Sequence, residues 1–83
     1  MDDPVVVVMP NLVDGDPATI RQVLVRIGQR VRVGEPLLSV ETDKADREIP
    51  SPTEGSIMAI FVSEGQSVER GEGLVELGSQ GRG

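Results

Sequence analysis

Apolar residues in this chain come in short runs bounded by glycine and proline, and within those runs they alternate with polar positions. Reading back from Val25 through Val23 to Ile20, the alternation holds and then slips by one residue. A period of two predicts a half-buried strand, and a slip of one predicts a bulge inside it. Gly28 follows and marks a tight turn where a positive φ is expected. A short strand at Val31, a second turn at "VGEP" and a strand ending at Val40 complete the unit.

The unit occurs twice. "TIRQVLVRIGQRVRVGEPLLSV" aligns without a gap on "SIMAIFVSEGQSVERGEGLVEL", at the offset that separates Ile20 from Ile57. Val23 then matches Ile60, Val25 matches Val62, Gly28 matches Gly65 and Val31 matches Val68. Gly34 matches Gly71, Leu37 matches Leu74 and Val40 matches Leu77. Each half has one apolar face too small to stand alone. Two halves facing each other across a pseudo-two-fold axis bury both, which predicts an all-β fold, a flattened barrel or sandwich of short antiparallel strands. The matched glycines and apolar residues are read as turn and core positions, a scaffold rather than a site.

Between the halves lies "SVETDKADREIP". Leu38, Val40 and Thr42 run outward, Ala45, Arg47 and Ile49 run back, and "TDKA" is a natural four-residue turn with Asp and Lys at type I central positions. Lys44 is therefore expected at an exposed hairpin tip. It is the only lysine in the chain, every other basic residue being arginine. An amine on a flexible stem can act as a nucleophile, whereas a guanidinium stays protonated and delocalised.

Composition narrows the chemistry. Eighty-three residues make one small domain, and with no cysteine or metal-ligand cluster in the sequence it must be held by packing alone. The formal charge is −6, with one Phe and no Trp or Tyr, so neither a basic patch nor a stacking platform offers itself to nucleic acid. No apolar stretch reaches membrane-spanning length, and "MDDPVVVV" has neither a signal-peptide nor a transit-peptide character. A cytoplasmic setting is expected, or a mitochondrial matrix if a presequence has been removed. Without histidine, Ser-His and Cys-His nucleophile arrangements cannot be built, and no enzymatic activity is expected of this module alone. Asp14 and Asp16 in "VDGDPAT" lack the remaining ligands of a calcium loop and read as a turn.

"VETDKA", "EIPSPTEG", "VSEGQSV" and the early "VMPNL" resemble the lipoyl domain of the dihydrolipoamide acyltransferase component of 2-oxo acid dehydrogenase complexes. The resemblance covers residues 5 to 77. It implies two four-stranded antiparallel sheets, a lipoyl domain over residues 1–77 with its hairpin near 40–49, and a linker beginning at 78–83. It also implies lipoic acid joined by an amide to Lys44, with Asp43 and Ala45 as the flanking recognition residues. The implied function is a swinging arm that shuttles acyl groups as thioesters of lipoyl-lysine. The implied partners are a lipoyl ligase, a thiamine-dependent 2-oxo acid decarboxylase, the acyltransferase catalytic domain and dihydrolipoamide dehydrogenase, with pyruvate the favoured source. Glu41, Asp46 and Glu48, with Asp43, would then form a negative collar suited to docking on basic active-site mouths.

The family pattern usually carries glycine where this chain has Ala18, whose repeat partner is Gly55. The 13–19 segment that leads there lies, in the resemblance, near the lysine hairpin and helps select the decarboxylase. Two rival readings remain. A biotinyl carrier domain shares the fold but typically flanks its lysine with methionines, and an unmodified barrel would serve only as an interaction module.

Overall fold

The computed structural model describes residues 4–11 and 17–78, which form eight strands and, among the described residues, no helix. In chain order these are β1 (Val5–Val8), β2 (Ala18–Val23), β3 (Arg30–Val31), β4 (Pro36–Glu41), β5 (Asp46–Pro50), β6 (Gly55–Ile60), β7 (Ser67–Val68) and β8 (Gly73–Gly78). Every pairing is antiparallel, and the strands sort into two four-stranded sheets, β1-β8-β6-β3 and β5-β4-β2-β7. Exchanging the two halves of the repeat turns one strand order into the other, so the expected two-sheet architecture and its pseudo-symmetry are borne out. β8 runs through Gly78, one residue past the expected domain boundary, and the tail beyond it lies outside the described residues.

The predicted slip is present in both halves. The β2–β4 register shifts between Ile20 and Gln22, and the β6–β8 register between Ile57 and Ala59, leaving Arg21 and Met58 as the extra residues. A second pair of bulges, unforeseen from alternation, falls at Leu37 against β5 and Leu74 against β1. Strict alternation would send one of two neighbouring residues outward. At these bulges both are retained inside, and Leu37, Leu38, Leu74 and Val75 are all fully buried.

Four turns clip the sheets together, and all four share one device. In Arg26–Gln29, Arg32–Glu35, Ser63–Gln66 and Glu69–Glu72, the third residue is a glycine with φ between 86° and 92°. The fourth N–H donates to the first carbonyl at 3.1 Å in every case. That is type II geometry, in which a side chain at the third position would be strained. The fourth residue is always Gln or Glu, and its side chain accepts from the first N–H at 2.8 to 3.1 Å. Each turn then docks by two backbone bonds, the Arg32–Glu35 and Glu69–Glu72 turns on Ser51 and Met9 and the other two on a strand of the opposite half. Gly28 and Gln29 exchange bonds with Ile57, and Gly65 and Gln66 with Ile20, at 2.7 to 2.8 Å.

Side chains from both inner faces form one continuous core, including Ile20, Leu38, Val40, Ile57, Leu74 and Leu77. Full burial of each such side chain stabilises the fold by roughly 1.5–3 kcal/mol before entropy is counted. The core contains no aromatic side chain, because Phe61, the only one present, is half exposed.

The two ends of the sandwich differ. β2 leaves the Thr19–Glu41 rung beside the β4–β5 hairpin and runs to Val23, after which residues 24–29 cross to the other sheet. There β3 pairs with Gly55 and Ser56, and Ser56 pairs with Gly78. Since Val5 pairs with Leu77, the first and last strands meet at the end away from the hairpin.

Candidate functional site

The β4–β5 pair carries Lys44. Its rungs are Leu38 with Ile49, Ser39 with Glu48, Val40 with Arg47, and Glu41 with Asp46. Buried Leu38, Val40 and Ile49 anchor the base of the hairpin in the core, while residues 43 to 48 are exposed. The expected placement of Lys44 at an exposed tip is what the structure shows.

The turn itself is fastened by a residue that the sequence reading passed over. The Thr42 N–H donates to the Ala45 carbonyl at 3.0 Å. The Thr42 hydroxyl donates to the same carbonyl at 2.9 Å and accepts from the N–H groups of Lys44 at 3.2 Å and Ala45 at 3.1 Å. Among the described residues no non-glycine has positive φ, so Asp43 and Lys44 do not adopt the primed geometry that best suits two-residue hairpins. A threonine opening a four-residue turn is a recognisable signal for such a side-chain closure.

The acidic residues divide by position. Asp43 adjoins Lys44, and Glu41 faces Asp46 on the rung below the turn. Like charges opposed across a rung repel. Arg21 lies against Asp46, with Nη1 3.7 Å from its carboxylate and both side chains about half exposed. An ion pair so open to water contributes little stability. Its presence nevertheless shows why the β2 bulge matters here, since Arg21 is the residue that the bulge inserts. Glu48 stands three rungs from the Thr42–Ala45 closure, about 10 Å at strand spacing, and does not share the tip. By register, Glu41 and Asp46 lie one rung below the turn that holds Asp43 and Lys44, and Glu48 lies two rungs further down.

Asp14, Asp16 and most of the 13–19 segment lie outside the described residues. Its end is placed: Ala18 is buried and pairs with Val68, and Thr19 pairs with Glu41 at the foot of the hairpin. Two surface clefts, of about 670 Å³ beside Leu24 to Gln29 and about 370 Å³ between Val6 to Pro10 and Ile49 to Pro52, include no residue of the turn. What the hairpin offers is an outward amine on a fixed base.

Comparison with known proteins agrees with this geometry. The acetyltransferase component of the pyruvate dehydrogenase complex of Corynebacterium glutamicum is 44% identical over 71 residues, which are 84% of this chain and 10% of that protein. The biotin carboxyl carrier protein of Streptococcus mutans is 39% identical over 61 residues, covering 74% of this chain and 47% of that one. The chain therefore spans only a fraction of the length of these relatives. The solved lipoyl domain of the Azotobacter vinelandii 2-oxoglutarate dehydrogenase complex superimposes with a TM-score of 0.68 at 23% identity, over 94% of this chain and all of that one. The sequence of residues 5–77 matches the biotin/lipoyl family model described as that of a biotin-requiring enzyme. With twin sheets presenting a single lysine hairpin and a family match along almost all of its length, this chain belongs to the biotin/lipoyl attachment family.

Proposed function

We propose that the chain is a lipoyl carrier module whose Lys44 Nζ forms an amide with the carboxyl group of lipoic acid. The observation that carries this reading is the position of the chain's sole lysine, exposed at the tip of the β4–β5 hairpin. The residues fit the group. Lys44 supplies the amine and a long stem, the turn leaves room for a ligase on all outward sides, and Asp43 and Ala45 give the flanking pattern. Bound there, lipoate supplies a dithiolane able to accept and release acyl groups and electrons.

The remaining steps fall to the chain's own residues. Amide formation removes one positive charge, taking the formal net charge from −6 to −7. Glu41, Asp43 and Asp46 are then left around the arm, where they favour approach to positively charged active-site mouths. The core-anchored base of the hairpin fixes where the arm starts, and tethering raises the effective concentration of its end at each partner site. The partners in this reading are a lipoyl ligase, a thiamine-dependent 2-oxo acid decarboxylase, an acyltransferase domain and dihydrolipoamide dehydrogenase. The Corynebacterium relative favours pyruvate as the source of the acyl group.

The Streptococcus relative supports biotin as the second reading. Co-expression with a lipoyl ligase and, separately, with a biotin ligase separates the two by intact mass. Lipoate uptake that is lost in Lys44→Arg is expected. Biotin uptake would replace this reading with the second, and uptake of neither would leave an unmodified interaction module.

A further inference from the structure

We propose that Thr42 is the positioning residue of the hairpin, its hydroxyl holding Lys44 in the orientation that a ligase accepts. The consequence for modification rests on the carrier reading, while the fastening itself does not.

Three observations combine. The hydroxyl donates once and accepts twice within a single four-residue turn. Both hydrogen bonds to the Ala45 carbonyl come from Thr42, one from its N–H and one from its hydroxyl. The residue that follows the turn is therefore bound to the residue that opens it through main chain and side chain together.

The second observation is the absence of positive φ at Asp43 and Lys44. A two-residue connection without primed geometry mismatches the right-handed twist of the flanking strands and tends to splay them. The hydroxyl offsets that tendency by drawing the Lys44 and Ala45 amides inward. With both amides held inside the turn, the Lys44 side chain is directed away from it, in keeping with its exposure.

The third is the location. Above the Glu41–Asp46 rung there is no further strand pairing among the described residues, and the turn's own bonds hold the main chain of Lys44 and Ala45. Removing the hydroxyl leaves Thr42 N–H able to reach Ala45 but releases the two amides, and Lys44 then samples several orientations. A ligase that accepts only one of them meets a smaller competent fraction, which raises its apparent KM for the domain rather than lowering kcat.

Thr42→Val keeps the β-branched shape and the backbone N–H while deleting the hydroxyl, and Thr42→Ser restores it. Exchange rates of the Lys44 and Ala45 amides, read by NMR on the unmodified protein, should rise roughly fivefold in the valine variant, the weight of one net hydrogen bond. The serine variant should stay within about twofold of the parent. With a lipoyl ligase, KM for the valine variant should rise by a similar factor at unchanged kcat, while the amide spectrum of both sheets is retained. Unaltered exchange in Thr42→Val, or equal loss in Thr42→Ser, overturns the fastening. Faster exchange with an unchanged KM overturns the positioning role. A parent protein that accepts no lipoate would instead count against the carrier reading, and the exchange measurement would still decide what the hydroxyl does.

Discussion

Gly55 and Ala18 begin equivalent strands in the two halves, and exchanging their residue types is a sharp test of how far the symmetry extends. A Cβ placed on Gly55 would lie 2.6 Å from the Gly78 carbonyl oxygen, 3.4 Å from its carbon and 3.8 Å from the Leu77 Cβ. The nearest atom is backbone in the neighbouring strand, so no side chain can rotate to relieve the contact. Gly55→Ala must push the end of β8 outward and weaken the Ser56–Gly78 rung. Overpacking of this kind costs about 1–3 kcal/mol. For a domain of this size each kcal/mol lowers Tm by roughly 4–8 °C. Ala18→Gly, in the opposite sense, removes a buried methyl and adds chain entropy, together about 1–2 kcal/mol. Thermal melts of both variants should therefore fall, although each converts one half toward the other. Because Gly55 lies at the end opposite the hairpin, lipoate uptake by the Gly55→Ala domain below its melting point should match the parent. A Gly55→Ala melt equal to or above that of the parent would refute the claim that β8 closes directly over this glycine.

Lys44→Arg should abolish mass gain with the ligase yet change stability by no more than about 0.5 kcal/mol, since the side chain is exposed; a melt and an intact mass on the same sample check both. Gly28→Ala should cost about 1–2 kcal/mol by chemical denaturation even though no atom lies within 4 Å of the added carbon, because the φ of +92° is itself the obstacle. Neutralising Glu41, Asp43 and Asp46 together as their amides should slow association with a basic-mouthed decarboxylase and flatten its salt dependence. Glu48→Gln should do much less from about 10 Å down the strand, as stopped-flow binding would show.

The alternation of Ile20, Val23 and Val25, the matching of Gly28 with Gly65, and the isolation of one lysine between two equivalent segments were all legible in the linear chain. They depend on local rules: side chains alternate along strands, tight type II turns need glycine, and only lysine combines an amine with a long stem. Those rules fixed the number of β units, the turn positions and the choice of Lys44. Other features required the chain to be folded. The bulges at Leu37 and Leu74 look like ordinary positions until a partner strand of different count lies beside them. Arg21 and Asp46 are distant in sequence and meet only across the sheet, and Glu48, close to Lys44 in sequence, is carried away from it by the strand rise. Thr42 lies between these cases, its residue type visible in the sequence but its bonding set by how the hairpin closes. Sequence determined which residues could form elements and which one could carry the exposed amine, because both follow from covalent geometry and nearest neighbours. Tertiary structure alone decided which charges share the tip, because strand register and bulge position are settled by packing two sheets around a common core.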